Sequence, residues 1–473
     1  MKYPLLLPLL AFCACTQEKE AEVAAPELKP RLVVMTDIGP ADVEPDDNES
    51  AVRLLSYADR FEIEAICTTI GWNCDPYPAE WKEYLDRVID AYEVDVQNLM
   101  KRSGQTAFLP IEQENQQQTL GYWPSAEYLR SRAMYGSPKA GIGVIGEDND
   151  TPGSNFLIEL AKEDDPRPIW VTSWGGSNTL AQAIWRVKQT ATPEELKAFV
   201  QKFRIYTITD QDMVWAMRMN RAYSSHQWLR EEFKEDLKFI WDESAWLNQN
   251  ELGKANWEHY QQYIQGHGEM GKVYPNFLWG VEGDTPSFLY LMPNGLSDPE
   301  EPLQVGWGGY HVYGQAPDNK TMAWTNWQEP EHSISDAYEH YFYADEFNDF
   351  AARMQWAAEG QGNTNPVVIV NGDQSVKPLI VTCQPTADGF DAVLDASATH
   401  DAEGDELSFL WWQQPEAGTW QGEWSIDNEN APTVTIHLPA EAAGQTLHLI
   451  CEVHDDGAFQ LVSYKRVIVT AAK

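Results

Sequence analysis

The sequence predicts an α/β fold: a doubly wound, mostly parallel sheet followed by a small β-sandwich. Three observations predict it. Short apolar runs alternate with amphipathic ones from residue 31 to 209, the pattern of parallel strands joined by crossover helices. The first of these runs ends in a turn crowded with carboxylates. After residues 359–366 the pattern changes to short alternating strands, the period of half-buried antiparallel sheet.

The first run, Leu32-Val33-Val34-Met35, reads as a strand over 31–36, and 48–57 as a helix. A strand over 61–66 and a long amphipathic helix over 79–92 follow. A helix over 154–162 precedes Pro168-Ile169-Trp170-Val171-Thr172, whose near-continuous apolar run suits a strand covered on both faces. Residues 178–188 form the next helix. Thr192-Pro193-Glu194-Glu195 opens another with a cap followed by proline, and 204–209 is a further strand. Between about 211 and 345 the sequence becomes Trp-, Gly- and Pro-rich, the character of a binding face. The expected domain covers 31–358. The linker 359–366 leads to 367–473, where strands at 367–370, 379–383, 392–394, 407–412, 433–438, 447–453 and 461–469 predict a sandwich of immunoglobulin-like type.

The chain carries 33 Lys and Arg against 73 Asp and Glu, a formal net charge of −40. That balance argues against a nucleic-acid partner, which needs basic surface, and against anionic lipid headgroups. At the N-terminus, Lys2 precedes the apolar stretch Leu5–Phe12 and then Cys13-Ala14-Cys15. Such a stretch is too short to span a membrane and suits a secretory signal. The small residue before Cys15 resembles a lipoprotein cleavage site. Residues 1–15 are therefore expected to be a signal peptide, Cys15 the lipidated residue and 16–30 a flexible tether. The expected location is the periplasm or cell surface, with a lipid anchor in the outer membrane as the single membrane contact. Export permits disulfides, for which the pairs 67–74 and 383–451 are expected.

The chemistry concentrates in Thr36-Asp37-Ile38-Gly39-Pro40-Ala41-Asp42-Val43-Glu44-Pro45-Asp46-Asp47. A strand that ends in this turn and feeds a helix places its carboxylates at the carboxyl edge of the sheet, where ligands bind in open α/β folds. Crowded carboxylates repel one another unless a cation sits among them, and hard oxygen ligands suit Ca²⁺ or Mg²⁺. Further polar loops follow later segments: Ser173–Thr179, Asp210-Gln211-Asp212, Gly266-His267-Gly268-Glu269 and Glu282–Ser287. Glu44, Asp210, Asp212 and Glu282 are candidate substrate contacts. Twenty tryptophans favour a sugar ligand, whose apolar faces stack on indole rings, and Trp72, Trp174, Trp279 and Trp307 lie in or beside the candidate loops. No Gly-x-Ser-x-Gly elbow is present. Gly141-Ile142-Gly143-Val144-Ile145-Gly146 lacks the strand and helix that a dinucleotide loop requires.

The Thr-Asp-x-Gly…Asp-Asp turn, the Trp174–Ala183 loop-helix and Glu282-Gly283-Asp284-Thr285-Pro286-Ser287-Phe288 together resemble a bacterial family described as cellulose-binding and nucleoside-hydrolase-like. Its members carry an immunoglobulin-like C-terminal domain. That family is distantly similar to inosine–uridine-preferring nucleoside hydrolases. The resemblance covers roughly residues 31–470. It implies a Ca²⁺ held by Asp37, Asp46, Asp47, Asp284 and the backbone carbonyl of Asn178, with Asp37 also taking the proton of an attacking water. It implies hydrolysis of a glycosidic bond with inversion. Two departures stand out: Asp37 lies nine positions before Asp46, so that Asp42 and Glu44 become further candidate ligands, and Gly283 precedes the late aspartate where a histidine is usual. His267 is the candidate leaving-group acid. The expected function is a Ca²⁺-dependent glycosidase acting on a plant or algal glycan, against a non-catalytic cellulose-binding lipoprotein and a nucleoside N-ribohydrolase.

Overall fold

The computed structural model describes residues 26–212, 224–234 and 236–472. The expected signal peptide, Cys15 and most of the expected tether lie outside the described residues. Eight strands form the main sheet: β1 (Arg31–Thr36), β2 (Glu62–Thr68), β3 (Ala133–Tyr135), β4 (Ile169–Ser173), β5 (Phe203–Ile208), β6 (Lys238–Asp242), β7 (Val312–Gln315) and β8 (Met322–Thr325). Their order is β3-β2-β1-β4-β5-β6-β8-β7, parallel throughout except for the β7–β8 hairpin. All six residues of β1 are buried. Leu32 and Val34 face one hydrophobic cluster while Val33 and Met35 face another, so the strand is covered on both sides and its apolar run needs no alternation. The chain passes from β1 outward to β2 and β3, then returns to place β4 on the other flank of β1. That reversal is the topological switch point, and the crevice at its carboxyl edge is where such sheets bind ligands.

Helix α1 (Pro45–Ser56) begins three residues before the expected 48, because Pro45 at the first helical position has its φ already set. Helix α2 (Lys82–Ser103) runs beyond the expected 92 and ends at Gly104, whose φ is 78°. The irregular region contains strands that its composition hid: β6, β7 and β8.

The C-terminal region forms two four-stranded sheets, β10-β11-β14-β13 and β12-β15-β16-β9. Here β9 is Leu379–Thr382, β10 Gln384–Pro385, β11 Gly389–Asp395, β12 Leu407–Gln413, β13 Ser425–Asp427, β14 Thr433–Pro439, β15 Thr446–Asp455 and β16 Val462–Thr470. The expected strand at 367–370 is reduced to isolated bridges at Val367 and Val370. The expected linker is packed against its surroundings: Asn363 donates to Asp455 (2.9 Å) and Asn365 to Asp349 (2.7 Å). Ile450, Leu461, Val462 and Tyr464 of the sandwich belong to the hydrophobic cluster that includes Leu54 and Phe350.

Neither expected disulfide forms; Cys67, Cys74, Cys383 and Cys451 are free and buried. Cys67 packs with Val33 and Met35 under the main sheet, whereas Cys74 packs with Ile70 and Tyr77 on the other side of the loop. Cys383 follows β9, and Cys451 lies on β15 with β16 between them in the same sheet. Two strand spacings, about 9.5 Å, exceed the reach of a disulfide. Among the described residues no helix is long and apolar enough to cross a membrane.

Candidate functional site

Asp37 is the first residue after β1, at the switch point. Trp174 and Gly175 N–H groups both donate to the Met35 carbonyl (2.8 and 2.9 Å), which ties the β4 loop to the end of β1. Two glycines make room for the Asp37 carboxylate. A Cβ on Gly71 would lie 1.5 Å from its Oδ2, and one on Gly175 would lie 3.0 Å from its Oδ1. The loop from 38 to 44 is held in place by Tyr77, which donates to the Ile38 carbonyl (2.8 Å), and by Asn48, which donates to the carbonyls of Gly39 (2.8 Å) and Glu44 (2.9 Å). Trp81 lies against Gly39.

This arrangement gathers five carboxylates. Ligand oxygens of Asp37, Glu44 and Asp47 lie within 4.8 Å of one another, as do those of Asp46, Asp47 and Asp284. Asp46 and Asp47 occupy the first turn of α1, where its N-terminal dipole favours negative charge. Thr36 donates its hydroxyl to Asp47, and Asn73 donates to Glu44 (2.6 Å). Asp284 precedes a short helix (Thr285–Leu289) packed against α1. Glu49, one turn further along α1, accepts from the Glu282 N–H (2.8 Å). Asp42 stays exposed on the loop.

Burial drives these acids toward their protonated forms. It raises Asp37 well above the carboxylate range, and the charges of Asp47 and Glu44 add to it. Burial, then Asp46 and Asp47, push Glu44 up to about 9. Burial raises Asp46 to about 6, and Asp47 and Asp284 rise well above normal for the same reason, reinforced by their acidic neighbours. Both oxygens of Asp37, Oδ1 of Asp46 and Oδ2 of Asp284 are buried and find no hydrogen-bond donor among the described residues. Buried polar atoms are normally satisfied. Oxygen acceptors of this number, with hard donor character and no thiol or imidazole among them, fit a divalent cation such as Ca²⁺.

Asn178 is fully buried, with Nδ2 donating to the Gly141 carbonyl (3.1 Å). Its Oδ1 crowds Gly176, as does Asp212; a Cβ there would meet them at 2.6 and 2.8 Å. Asp210 and Asp212 form a neighbouring group with His226, which no sequence pattern singled out. Ser224 donates to Asp210 (2.8 Å), and the Ser225 N–H donates to Asp212 (2.6 Å). Burial lowers His226 to about 4, while burial and then Asp210 raise Asp212 to about 6.

Three expected residues are engaged in the protein's own packing. Glu282 is a buried structural anion: it accepts from Arg53 (2.6 Å) and Tyr274 (2.8 Å). Trp174 is buried with its N–H on Ser287 (2.7 Å). Trp307 is buried against the sandwich, its N–H on Tyr464 (3.4 Å). His267 stands at the N-terminus of the helix Gly268–Val273, which Asp95 caps by accepting from the Glu269 and Met270 N–H groups. Among the described residues His267 belongs to none of the acidic groups that could hold a metal ion. Trp279 does reach the rim: it is 62 % exposed, and its N–H donates to the Val43 carbonyl (3.1 Å). Trp72 lies between the Asp37 cradle and Asp210, donating to the Asp210 carbonyl (2.9 Å).

A parallel sheet reversing at β1 and β4, with an acidic corner between β1 and α1 and a β-sandwich behind it, defines a nucleoside-hydrolase-like protein. The chain belongs to the family described as cellulose-binding Sde182, nucleoside hydrolase-like domain, whose pattern matches residues 31–311. The C-terminal domain of cellulose-binding protein Sde0182 matches residues 391–471. Among solved structures, a nucleoside hydrolase-related hypothetical protein from Saccharophagus degradans, described as associated with carbohydrate metabolism, is 31 % identical. The match spans 94 % of this chain and 100 % of that one, with a TM-score of 0.77. A PKD domain from the KIAA 1837 protein matches 20 % of this chain and 82 % of its own at 21 % identity; its TM-score of 0.15 is too low to bear on the fold. No curated protein matches the chain.

Proposed function

We propose that the chain is an exported, Ca²⁺-dependent glycosidase that hydrolyses a glycosidic bond in a plant or algal glycan or its oligosaccharides. The observation that carries this reading is the set of buried carboxylate oxygens without donors at the switch point. Asp37, Asp46, Asp47, Asp284 and the backbone carbonyl of Asn178 would hold the cation, with Glu44 beside them. When bound, Ca²⁺ would orient a water and two sugar hydroxyls and make that water more acidic. Asp37 then accepts the water's proton, its carboxylate aimed by the backbones of Gly71 and Gly175. Attack opposite the departing group would invert the anomeric centre as the glycosidic bond breaks, with the leaving atom taking its proton from solvent. Trp279 offers an indole face at the rim for stacking a sugar ring. Export and anchoring through Cys15 complete the proposal and place the site where polysaccharide is met.

A second reading, a non-catalytic carbohydrate-binding lipoprotein, is favoured by the cellulose-binding description of the family together with Trp279. A nucleoside N-ribohydrolase has the same acidic corner to support it. Sugar release by the chain lacking residues 1–15, from nucleosides and from plant and algal glycans, separates them. Release from a glycan that requires Ca²⁺ and disappears in Asp37→Asn is expected. Glycan binding without release, unchanged in Asp37→Asn, would leave a binding protein; release from nucleosides alone would identify the third activity.

A further inference from the structure

We propose that the acidic pocket holds two divalent cations bridged by Asp47, one between Asp37, Glu44 and Asp47 and the other between Asp46, Asp47 and Asp284. The inference deepens the reading of a metal pocket and rests on it. Two separate triplets of ligand atoms, each within 4.8 Å, share Asp47 alone. Each triplet has its own buried oxygens without donors: both of Asp37 in the first, Asp46 Oδ1 and Asp284 Oδ2 in the second. Asp37 and Asp284 are 1 % and 2 % exposed.

Charge separates one cation from two. Carboxylates are deprotonated when they ligate a metal; with all five ionised, a single dication would offset two of five negative charges. Three would remain, and among the described residues Arg53, the buried cation of α1, is already bonded to Glu282 at 2.6 Å. Unpaired buried charge is strongly disfavoured in a low-dielectric interior. A second dication leaves a single excess negative charge. Asp47 is suited to bridge, because the Thr36 hydroxyl fixes one of its oxygens and the first turn of α1 fixes its backbone. Glu44 comes from the lengthened loop between Asp37 and the Asp46–Asp47 pair. Asn73 holds one of its oxygens at 2.6 Å, which orients the carboxylate toward Asp37. The competing arrangement is a proton on Glu44 shared with Asp37 and a single cation in the second triplet.

The test is metal stoichiometry in the folded chain without residues 1–15. The protein is stripped with chelator, equilibrated with CaCl₂ in 0.15 M KCl to screen its acidic surface, and measured by calorimetric titration and elemental analysis. Two Ca²⁺ per chain are expected, falling to one in Glu44→Gln, which keeps an oxygen for Asn73, and to one in Asp284→Asn. Circular dichroism establishes that each variant is folded. One Ca²⁺ per chain, unchanged in Glu44→Gln, would overturn the two-cation site and leave the single-metal reading standing. No Ca²⁺ bound at millimolar concentration would overturn both.

Discussion

Glu282 and Trp279 lie three residues apart and show how opposite roles follow from surroundings. Glu282 is fully buried, its charge matched by Arg53 and hydrogen-bonded by Tyr274. Removing one partner of such a pair strands the other in a low-dielectric interior at a cost of about 3–5 kcal/mol. Glu282→Gln is therefore expected to lower unfolding stability by that amount in urea, while the fraction that stays folded binds glycan normally. A loss of binding with stability intact would restore the substrate role that its polar loop suggests. Trp279 is the reverse case: exposed, with only its N–H held. Trp279→Ala should leave stability within about 0.5 kcal/mol and weaken glycan affinity about tenfold, the order of one lost stacking contact. Unchanged affinity in a glycan titration would remove the indole from the binding surface.

At the scale of elements, the β1–α1 corner depends on the two loops that wrap it. Gly71 has no room for a side chain, because a Cβ would overlap Asp37 Oδ2. Gly71→Ala must move either the carboxylate or the β2 loop. The expected result is at least a tenfold rise in the Ca²⁺ concentration needed for half-saturation, with the circular dichroism spectrum preserved. An unaltered Ca²⁺ titration would mean that Asp37 is not a ligand. The corner itself was legible in the sequence because its acids are contiguous and follow an apolar run. Its cradle was not, since a glycine required by a distant carboxylate reads like any turn glycine. Glu49 reads as an ordinary acid early in a helix, and the partner of Glu282 lies 229 residues away. Trp174 and Trp307 belong to polar loops, as expected, but loop membership does not say which way a ring turns. Strand β4 was legible because burial on both faces produces an unbroken apolar run. The β7–β8 hairpin, partly exposed and interrupted by Gly314 and the polar turn 315–321, gives no such run. The disulfide pairing failed for a topological reason: sequence spacing does not reveal that β9 joins the sheet of β15.

At the scale of the whole molecule, the sandwich is fixed to the α/β domain through a titratable seam. Gln414 bridges to the Leu303 carbonyl (2.8 Å) and Arg466 to the Leu296 carbonyl (2.6 Å). Trp412 packs against Tyr338, Tyr341 and Phe342 of the long helix Glu331–Glu359. In the middle, Asp345 of that helix accepts from Tyr464 (2.9 Å) and faces Glu452 and His454. Burial raises Asp345 to about 6, with Glu452 and Asp349 adding to the shift and His454 opposing it. His454 is also raised, by its contact with Glu452 and the charge of Asp345 against the opposing effect of burial. A group whose pKa is higher folded than unfolded holds its proton more tightly in the native state. Its contribution is complete below the unfolded value and is lost as pH rises through the folded one. For Asp345 that window runs from about 4 to about 6, and for His454 it begins near 6.5 and extends above it. Both groups therefore loosen the seam as pH rises from 5 to 8, which predicts a falling melting temperature over that range. Asp345→Asn keeps an acceptor for Tyr464 and cannot ionise, so its melting temperature should fall less steeply between pH 5 and 7 than that of the parent chain. Parallel melting curves for the two proteins across that range would show that Asp345 does not couple docking of the sandwich to pH.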